Sequence, residues 1–247
     1  TGSWIVRQRT GCQNRNNKPD DPPGEEINML LAGDIGGTKA HLAVVSPDMG
    51  PRKILLEEKL PSRSFDSLEA LVKSFTDRVD YPLTAACFGV AGPITNGSAA
   101  ITNLGWYPSE DSLEKALKID SVTLLNDLVA TAAAIPELDA EDIVVINEGE
   151  ETPGGPIGVI APGTGLGEAF LIWNGSCYTA FPSEGGHTDF PPLNPLETEL
   201  LGHLWKTYNH VSSERLASGL GIPNIFNFLK ENGTAARVTT WIAAPTS

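Results

Sequence analysis

The sequence predicts an α/β protein built from two related halves. The first observation is a pair of glycine-rich turns, at residues 33–39 and 161–167, each set between two apolar runs with β-strand character. The second is that strands alternate with helices twice along the chain, once after each turn. The repeated turn indicates that the second half is related to the first.

Both turns have the composition of a phosphate-binding loop. Glycine has no β-carbon, so several backbone N–H groups can approach a phosphate closely. The residues that follow the turns, 39–45 and 168–173, favour strands and are too short for a standard helix. A Walker loop and a dinucleotide-binding turn both lead into a helix, so neither class fits. One such turn alone is more often a plain hairpin, but two favour a nucleotide held from both sides.

The elements of the first half follow from apolar spacing and helix signals. A strand begins at Met29, and Leu68, Val72, Phe75 and Val79 recur at the spacing of a helix face. The remaining predicted elements are strands at 54–56, 83–90 and 122–125, a helix that Asp111 caps with Glu114, and a helix at 128–135.

The second half has the same kinds of signal. A strand at 157–160 leads into the second turn, and Asn174-Gly175 indicates a hairpin. A helix starts at Asn194-Pro195. Its predicted buried side consists of Leu200, Leu201, Leu204, Trp205 and Tyr208.

Composition limits the partners and the location. The net charge is −14, which argues against a nucleic-acid or anionic-membrane surface. A bound anion therefore needs local hydrogen-bond donors or positive charge, for which backbone amides, Lys39 and a bound divalent cation are the candidates. Residues 1–28 lack apolar periodicity and the apolar middle of a signal peptide, so we expect a disordered leader. No apolar run reaches membrane-spanning length. A cytoplasmic location is expected.

Three places in the sequence hold polar residues that could take part in catalysis or ligand binding. Asp127 follows a strand and opens a helix, where it could accept a proton from a hydroxyl or simply cap the helix. Glu184, His187 and Asp189 lie in a loop with two glycines, and a metal site there lacks a second histidine or thiolate at ligand spacing. Glu214 could be only a first-turn acid of a helix capped by Ser213.

Seven motifs in order resemble those of the ATP-dependent bacterial-type glucokinases, members of the sugar kinase, actin and Hsp70 superfamily. They are residues 33–38, 88–93, Thr102-Asn103 with Trp106, 125–127, 163–167, 184–187 and 213–219, and the likeness covers about Met29 to Glu231. The repressor and open-reading-frame kinase family shares two motifs but has a cysteine-rich zinc site after the histidine. Here no cysteine follows Cys177.

The resemblance implies a duplicated ribonuclease-H-like (actin-like ATPase) fold, with two lobes and a cleft between them. The expected organisation is a leader at 1–28, a small α/β lobe with the phosphate hairpin at 29–137, a partial large lobe with the sugar loop at 138–232, and a non-family tail at 233–247. After Glu231 the expected continuation, which grips adenosine in the family, is replaced. The second lobe is therefore expected to be incomplete and nucleotide binding to be weak.

The resemblance also implies the role of each site residue. Asp127 would be the general base that takes the proton from the 6-hydroxyl of glucose, and Asn103, Asn126, Glu184, His187 and Glu214 would hold the sugar. Asp34 would orient Mg²⁺ through water, and ATP phosphates would meet Lys39 and the amides of Gly36, Gly37, Thr38, Gly163, Thr164 and Gly165. Phosphoryl transfer needs mainly positioning and charge stabilisation, which suits a set with one base and no covalent nucleophile.

Two other functions stay open at this point. A non-enzymatic sugar-binding protein fits because the implied sugar residues all precede Glu231, whereas the adenosine segment follows it. A metal-dependent hydrolase built on Glu184, His187 and Asp189 is a more distant alternative. Dimerisation through exposed apolar surface is a further open question.

Overall fold

The computed structural model describes residues 29–50, 52–150 and 152–233, so the expected leader and all of the expected tail except Gly233 lie outside the described residues. The strands are β1 (Met29–Ile35), β2 (Lys39–Val45), β3 (Ile54–Pro61), β4 (Leu83–Val90), β5 (Ile94–Thr95), β6 (Ser98–Ala99), β7 (Ser121–Asn126), β8 (Ile157–Pro162), β9 (Leu166–Trp173) and β10 (Tyr178–Ser183). The α-helices are α1 (Leu68–Thr76), α2 (Glu110–Leu117), α3 (Asp127–Ala134), α4 (Pro195–Leu204) and α5 (Gly221–Glu231).

Five strands form one mixed sheet in the order β3-β2-β1-β4-β7. β1, β2 and β3 pair antiparallel, whereas β4 pairs parallel with both β1 and β7. β1 is central, and all its side chains except that of Asp34 are buried, as expected for a strand covered on both faces. The carboxyl ends of β1, β4 and β7 therefore lie at one edge of the sheet, the usual position for ligands in α/β proteins.

α1 and α2 cover one part of this sheet. Leu68, Leu71, Val72 and Phe75 of α1 are fully buried in the main core, together with Phe88 of β4 and other residues of the sheet. Burial of that many large apolar side chains, each worth about 1.5–3 kcal/mol, is the main stabilising contribution. α1 ends at Thr76, three residues before the predicted limit, and Val79 packs against the core from the following turn.

The start of α2 corrects one sequence prediction. The cap is Ser109, whose hydroxyl accepts the backbone N–H of Ser112 at 3.1 Å. The hydroxyl of Ser112 in turn accepts the backbone N–H of Ser109 at the same distance. Asp111 lies inside the first turn of α2 and does not cap it. Glu114 accepts the N–H of Val122 at 3.1 Å instead, because its position on α2 brings it to β7.

A second sheet has the order β10-β9-β8, and the predicted hairpin at Asn174 joins β9 to β10. α4 begins at the predicted cap, where Asn194 accepts the N–H of Glu197 at 3.0 Å. Leu200 and Leu204 are buried with Val211 and Phe228. The prediction that Trp205 is buried is wrong: its side chain is 60% exposed, because it does not pack against the cluster formed by these four residues.

The chain divides into two compact units. The first unit runs to Ile157 and includes Leu171–Phe181, and the second consists of Gly158–Phe170 and the residues from Pro182 on. The lobe boundary expected after residue 137 stays a prediction. Within the described ranges, no helix combines the length and apolarity needed to cross a membrane.

Candidate active site

The first glycine turn is a tight hairpin between β1 and β2. The N–H of Gly36 is bonded to the carbonyl of Lys39 at 3.0 Å, and Ser62 fixes the turn by donating its hydroxyl to the Gly36 carbonyl at 2.7 Å. The N–H of Gly36 is thus already bonded within the turn, and its expected contact with a phosphate stays a prediction. The N–H groups of Gly37 and Thr38 have no acceptor among the residues that the structure describes.

Asn103 lies directly against the first glycine turn. A β-carbon on Gly37 would overlap the side-chain amide of Asn103, so only glycine leaves room for that amide. The structure therefore brings together a predicted sugar residue and a predicted phosphate residue within the first unit. Lys39 and Thr38 of the same turn are exposed.

Asp34 and Asp127 approach each other at the carboxyl edge of the main sheet. Asp34 of β1 is paired with Gly89 of β4, which is in turn paired with Leu125 of β7, two residues before Asp127. A β-carbon on Gly89 would lie 3.4 Å from that of Ala130 and 3.7 Å from the α-carbon of Asp127. The glycine thus allows α3 to start close against β4.

The charges at this edge act on Asp34. Partial burial raises the pKa of Asp34 above its ordinary value, the neighbouring carboxylate of Asp127 raises it further, and His41 lowers it. Asp34 is only partly covered, and burial, the larger cause, acts together with the Asp127 carboxylate to raise the pKa of Asp34. Two such carboxylates have the donor chemistry that a hydrated divalent cation prefers.

Asn126, and not Asp127, caps α3. Its side-chain oxygen accepts the N–H groups of Leu128 at 3.1 Å and Val129 at 3.2 Å, and its amide donates to the Gly92 carbonyl at 3.1 Å. Asp127 is the first residue of the helix, and one of its oxygens accepts the N–H of Leu128 at 2.8 Å. Both side chains bond at the start of the helix, but Asn126 holds the capping position, so Asp127 is not the cap of α3 and its role as general base stays a prediction.

The second glycine turn is bound to a distant part of the second unit. Gly219 donates its N–H to the carbonyl of Gly163 at 2.8 Å, and Leu220 donates to that of Thr164 at 3.3 Å. Glu214 accepts the N–H of Leu166 at 3.0 Å, and its carboxylate lies against Gly165. Glu214 is in a 3-10 helix, Ser213–Arg215, without a side-chain cap, so the alternative of an α-helix capped by Ser213 is wrong.

The loop with Glu184 and His187 packs on the strand that leaves the second turn. A β-carbon on Gly186 would collide with the carbonyl oxygen of Leu166, so this close approach needs glycine. Glu184 and His187 face solvent, with side chains 89% and 61% exposed and 3.7 Å between their nearest charged atoms. The second unit therefore gathers Gly163, Thr164, Gly165, Glu184, His187 and Glu214 into one region.

Sequence reasoning missed Glu168 and Ser62. The carboxylate of Glu168, in β9, lies against Gly185 of the loop with Glu184 and His187, and Ser62 fixes the first turn from the residue after β3. Glu168 directly follows the second glycine turn, which was the available signal. Nothing in the pattern around Ser62 indicated its contact, because it depends on the pairing of β2 with β3.

The metal alternative has no support in the geometry. Asp189 bonds to His210 at 2.8 Å, while His187 is associated with Glu184. Over the ranges 29–50, 52–150 and 152–233, no group of three or more His, Cys, Asp or Glu side chains is arranged to hold a metal ion.

Comparison with known proteins agrees with the motifs. A family model described as Glucokinase matches residues 31–245. The glucokinase of Nostoc punctiforme is 39% identical over 226 residues, an alignment that covers 87% of this chain and 66% of that protein. The glucokinase of Synechocystis is 39% identical over 215 residues, covering 81% of this chain and 61% of that protein.

Solved structures show the same relationship. The crystal structure of a glucokinase from an Antarctic psychrotroph has a TM-score of 0.72 and 33% identity, and the match covers 83% of this chain and 65% of that one. The predicted α/β, ribonuclease-H-like fold class is confirmed. The chain spans about two thirds of the length of these relatives. On the family match and these identities, the chain belongs to the glucokinase family.

Proposed function

We propose that this chain carries out, or carries the residues for, transfer of the γ-phosphoryl group of ATP to the 6-hydroxyl of glucose. The observation that carries the proposal is the relation between Asn126 and Asp127. Asn126 satisfies the first N–H groups of α3, so the adjacent acid can serve chemistry at the sheet edge where Asp34 also lies. A positioned carboxylate with no covalent nucleophile beside it matches the needs of phosphoryl transfer.

Asp127 is the proposed general base. It takes the proton of the sugar hydroxyl while the oxygen forms its bond to the γ-phosphorus and the bond from that phosphorus to the ADP oxygen breaks. The proton ends on Asp127, and ADP leaves with the electron pair of the broken bond. General-base catalysis of this kind contributes about 10² to 10⁴ in rate.

Asp34 and the two glycine turns are the proposed nucleotide residues. The carboxylates of Asp34 and Asp127 are close enough to repel each other, and a bound cation would offset that repulsion. Asp34 would hold Mg²⁺ through water, and the bound ion supplies charge neutralisation for the phosphates. The first turn offers the N–H groups of Gly37 and Thr38 together with Lys39. The second turn offers those of Thr164 and Gly165, whereas the N–H of Gly163 is bonded to the carbonyl of Gly165 at 2.8 Å.

The proposed sugar residues are Asn103, Asn126, Glu184, His187 and Glu214. Each carries a donor or acceptor suited to a hydroxyl group, and a site that pairs each hydroxyl rejects analogues that lack one. The exposure of Glu184 and His187 is consistent with groups that bond to a ligand rather than to the protein. A cytoplasmic location, where ATP is abundant, belongs to the same proposal, and dimerisation stays open.

Glucose phosphorylation in a coupled assay tests this function. Asp127→Asn is expected to lower turnover by about 10² or more while glucose still binds by calorimetry. Asp189→Asn is the matched control, because Asp189 is exposed and bonded to His210. Equal turnover in Asp127→Asn and the unsubstituted chain would remove Asp127 as the base. If the unsubstituted chain binds glucose without phosphorylating it, the sugar-binding alternative is the correct one.

A further inference from the structure

The second glycine turn is bonded to residues 213–220 of the same unit. Three hydrogen bonds join the two segments, from Gly219 to Gly163, from Leu220 to Thr164 and from Leu166 to Glu214. Two of these are bonds between backbone groups. The third uses the carboxylate of Glu214, so one side chain contributes to the shape of the turn.

Glu214 contacts the turn through one of its two carboxylate oxygens. Oε2 accepts the N–H of Leu166 at 3.0 Å and lies against Gly165. Leu166 is 8% exposed, so water could not easily replace this acceptor. Oε1 has no bonding partner within the described part of the chain, and it is the oxygen left for a ligand.

We propose that Glu214 is a positioning residue for the nucleotide as well as a sugar ligand, and that glucose bound to Oε1 tightens the second glycine turn for the phosphates. The inference rests on the proposed function, which assigns a sugar hydroxyl to Glu214. A carboxylate held by glucose on one side has less freedom to leave Leu166 on the other. Binding at the two sites is then coupled, and the coupling acts equally in both directions.

Glu184 supplies the matched control. It is also a proposed sugar ligand of the second unit, yet its carboxylate makes no hydrogen bond to residues 163–167 where the structure describes them, and it is 89% exposed. Loss of Glu184 therefore weakens sugar binding without touching the turn. Glu214→Gln is the conservative variant, because its amide oxygen can still accept the N–H of Leu166.

Amide hydrogen exchange at Leu166, measured by NMR on the full chain, tests the contact without any nucleotide. We expect Glu214→Ala to speed exchange at Leu166 about tenfold, Glu214→Gln to restore most of the protection, and Glu184→Ala to change nothing. Exchange at Leu31 in β1 serves as the reference for global stability. Saturating glucose is expected to slow exchange at Leu166 in the unsubstituted chain but not in Glu214→Ala.

Calorimetry with Mg·AMPPNP gives the second measurement. Glucose is expected to raise the affinity for Mg·AMPPNP about tenfold in the unsubstituted chain and to leave that affinity unchanged in Glu214→Ala. Exchange at Leu166 that is the same in Glu214→Ala as in the unsubstituted chain would overturn the inference. Glucose that binds but leaves this exchange unchanged overturns the coupling while the proposed function stands. Failure of glucose to bind at all overturns the proposed function and the coupling together.

Discussion

The side-chain amide of Asn103 occupies the space that a β-carbon on Gly37 would fill. The contact joins the end of β6 and its following loop to the first glycine turn. The obstacle is the end of a side chain rather than backbone, so it can move. A side chain at position 37 is therefore expected to displace the Asn103 side chain rather than to distort the fold.

Gly37→Ala is expected to turn Asn103 away and to weaken glucose binding about five- to tenfold, the value of one hydrogen bond. The melting temperature should change little. Calorimetry with glucose measures the effect, and Gly202→Ala is the control because nothing lies within 4 Å of a β-carbon there. Glucose affinity equal to that of the control would show that Asn103 does not hold the sugar.

Gly186→Ala is expected to behave differently, because the obstacle is the carbonyl oxygen of Leu166. Backbone cannot rotate away, so the loop must shift. We expect a loss of about 1–3 kcal/mol in the free energy of unfolding, the usual cost of overpacking. Urea denaturation measures it, with Gly158→Ala, at an open position of β8, as the control. A stability equal to that of Gly158→Ala would contradict the close packing of loop on strand.

Asn126→Ala removes the cap of α3 and is expected to cost about 1 kcal/mol in stability. The carbonyl of Gly92 also loses its donor. Asp127→Ala should cost less, since it only bonds to the next residue. Thermal denaturation of both variants compares them directly. If Asp127→Ala were the more destabilising of the two, the assignment of Asn126 as the cap would be wrong.

The titration of Asp34 should respond to both neighbours. Burial and Asp127 raise the pKa of Asp34 and His41 lowers it, so Asp127→Asn should lower the titration midpoint and His41→Gln should raise it. Because the folded pKa is raised, this group contributes stability below its unfolded pKa, and that contribution is lost as the pH rises through the folded value. Asp34→Asn should therefore not destabilise the protein at neutral pH. Carbon-13 NMR of the carboxyl groups follows the midpoints, and opposite shifts would contradict the pairing at the sheet edge.

Periodicity predicted the α/β class and most elements, because apolar spacing reports burial directly. The candidate site residues came from the resemblance to the glucokinases. Without that resemblance, the sequence did not predict which of these residues lie close together within each unit. The contacts that need tertiary structure could not be predicted. Asn126 caps α3 from the last position of β7, and Glu214 reaches Leu166 from 48 positions away in the sequence. Trp205 was misplaced because helical spacing shows which residues share a face but not whether another element covers that part of the face.

Asn126 and Asp127 contribute unequally to the start of α3. The side chain of Asn126 accepts two N–H groups of the helix and donates to the carbonyl of Gly92, whereas that of Asp127 accepts one N–H. A replacement at position 127 therefore leaves most of the helix start in place, so the proposed general base can be removed while the rest of the chain keeps its folded framework.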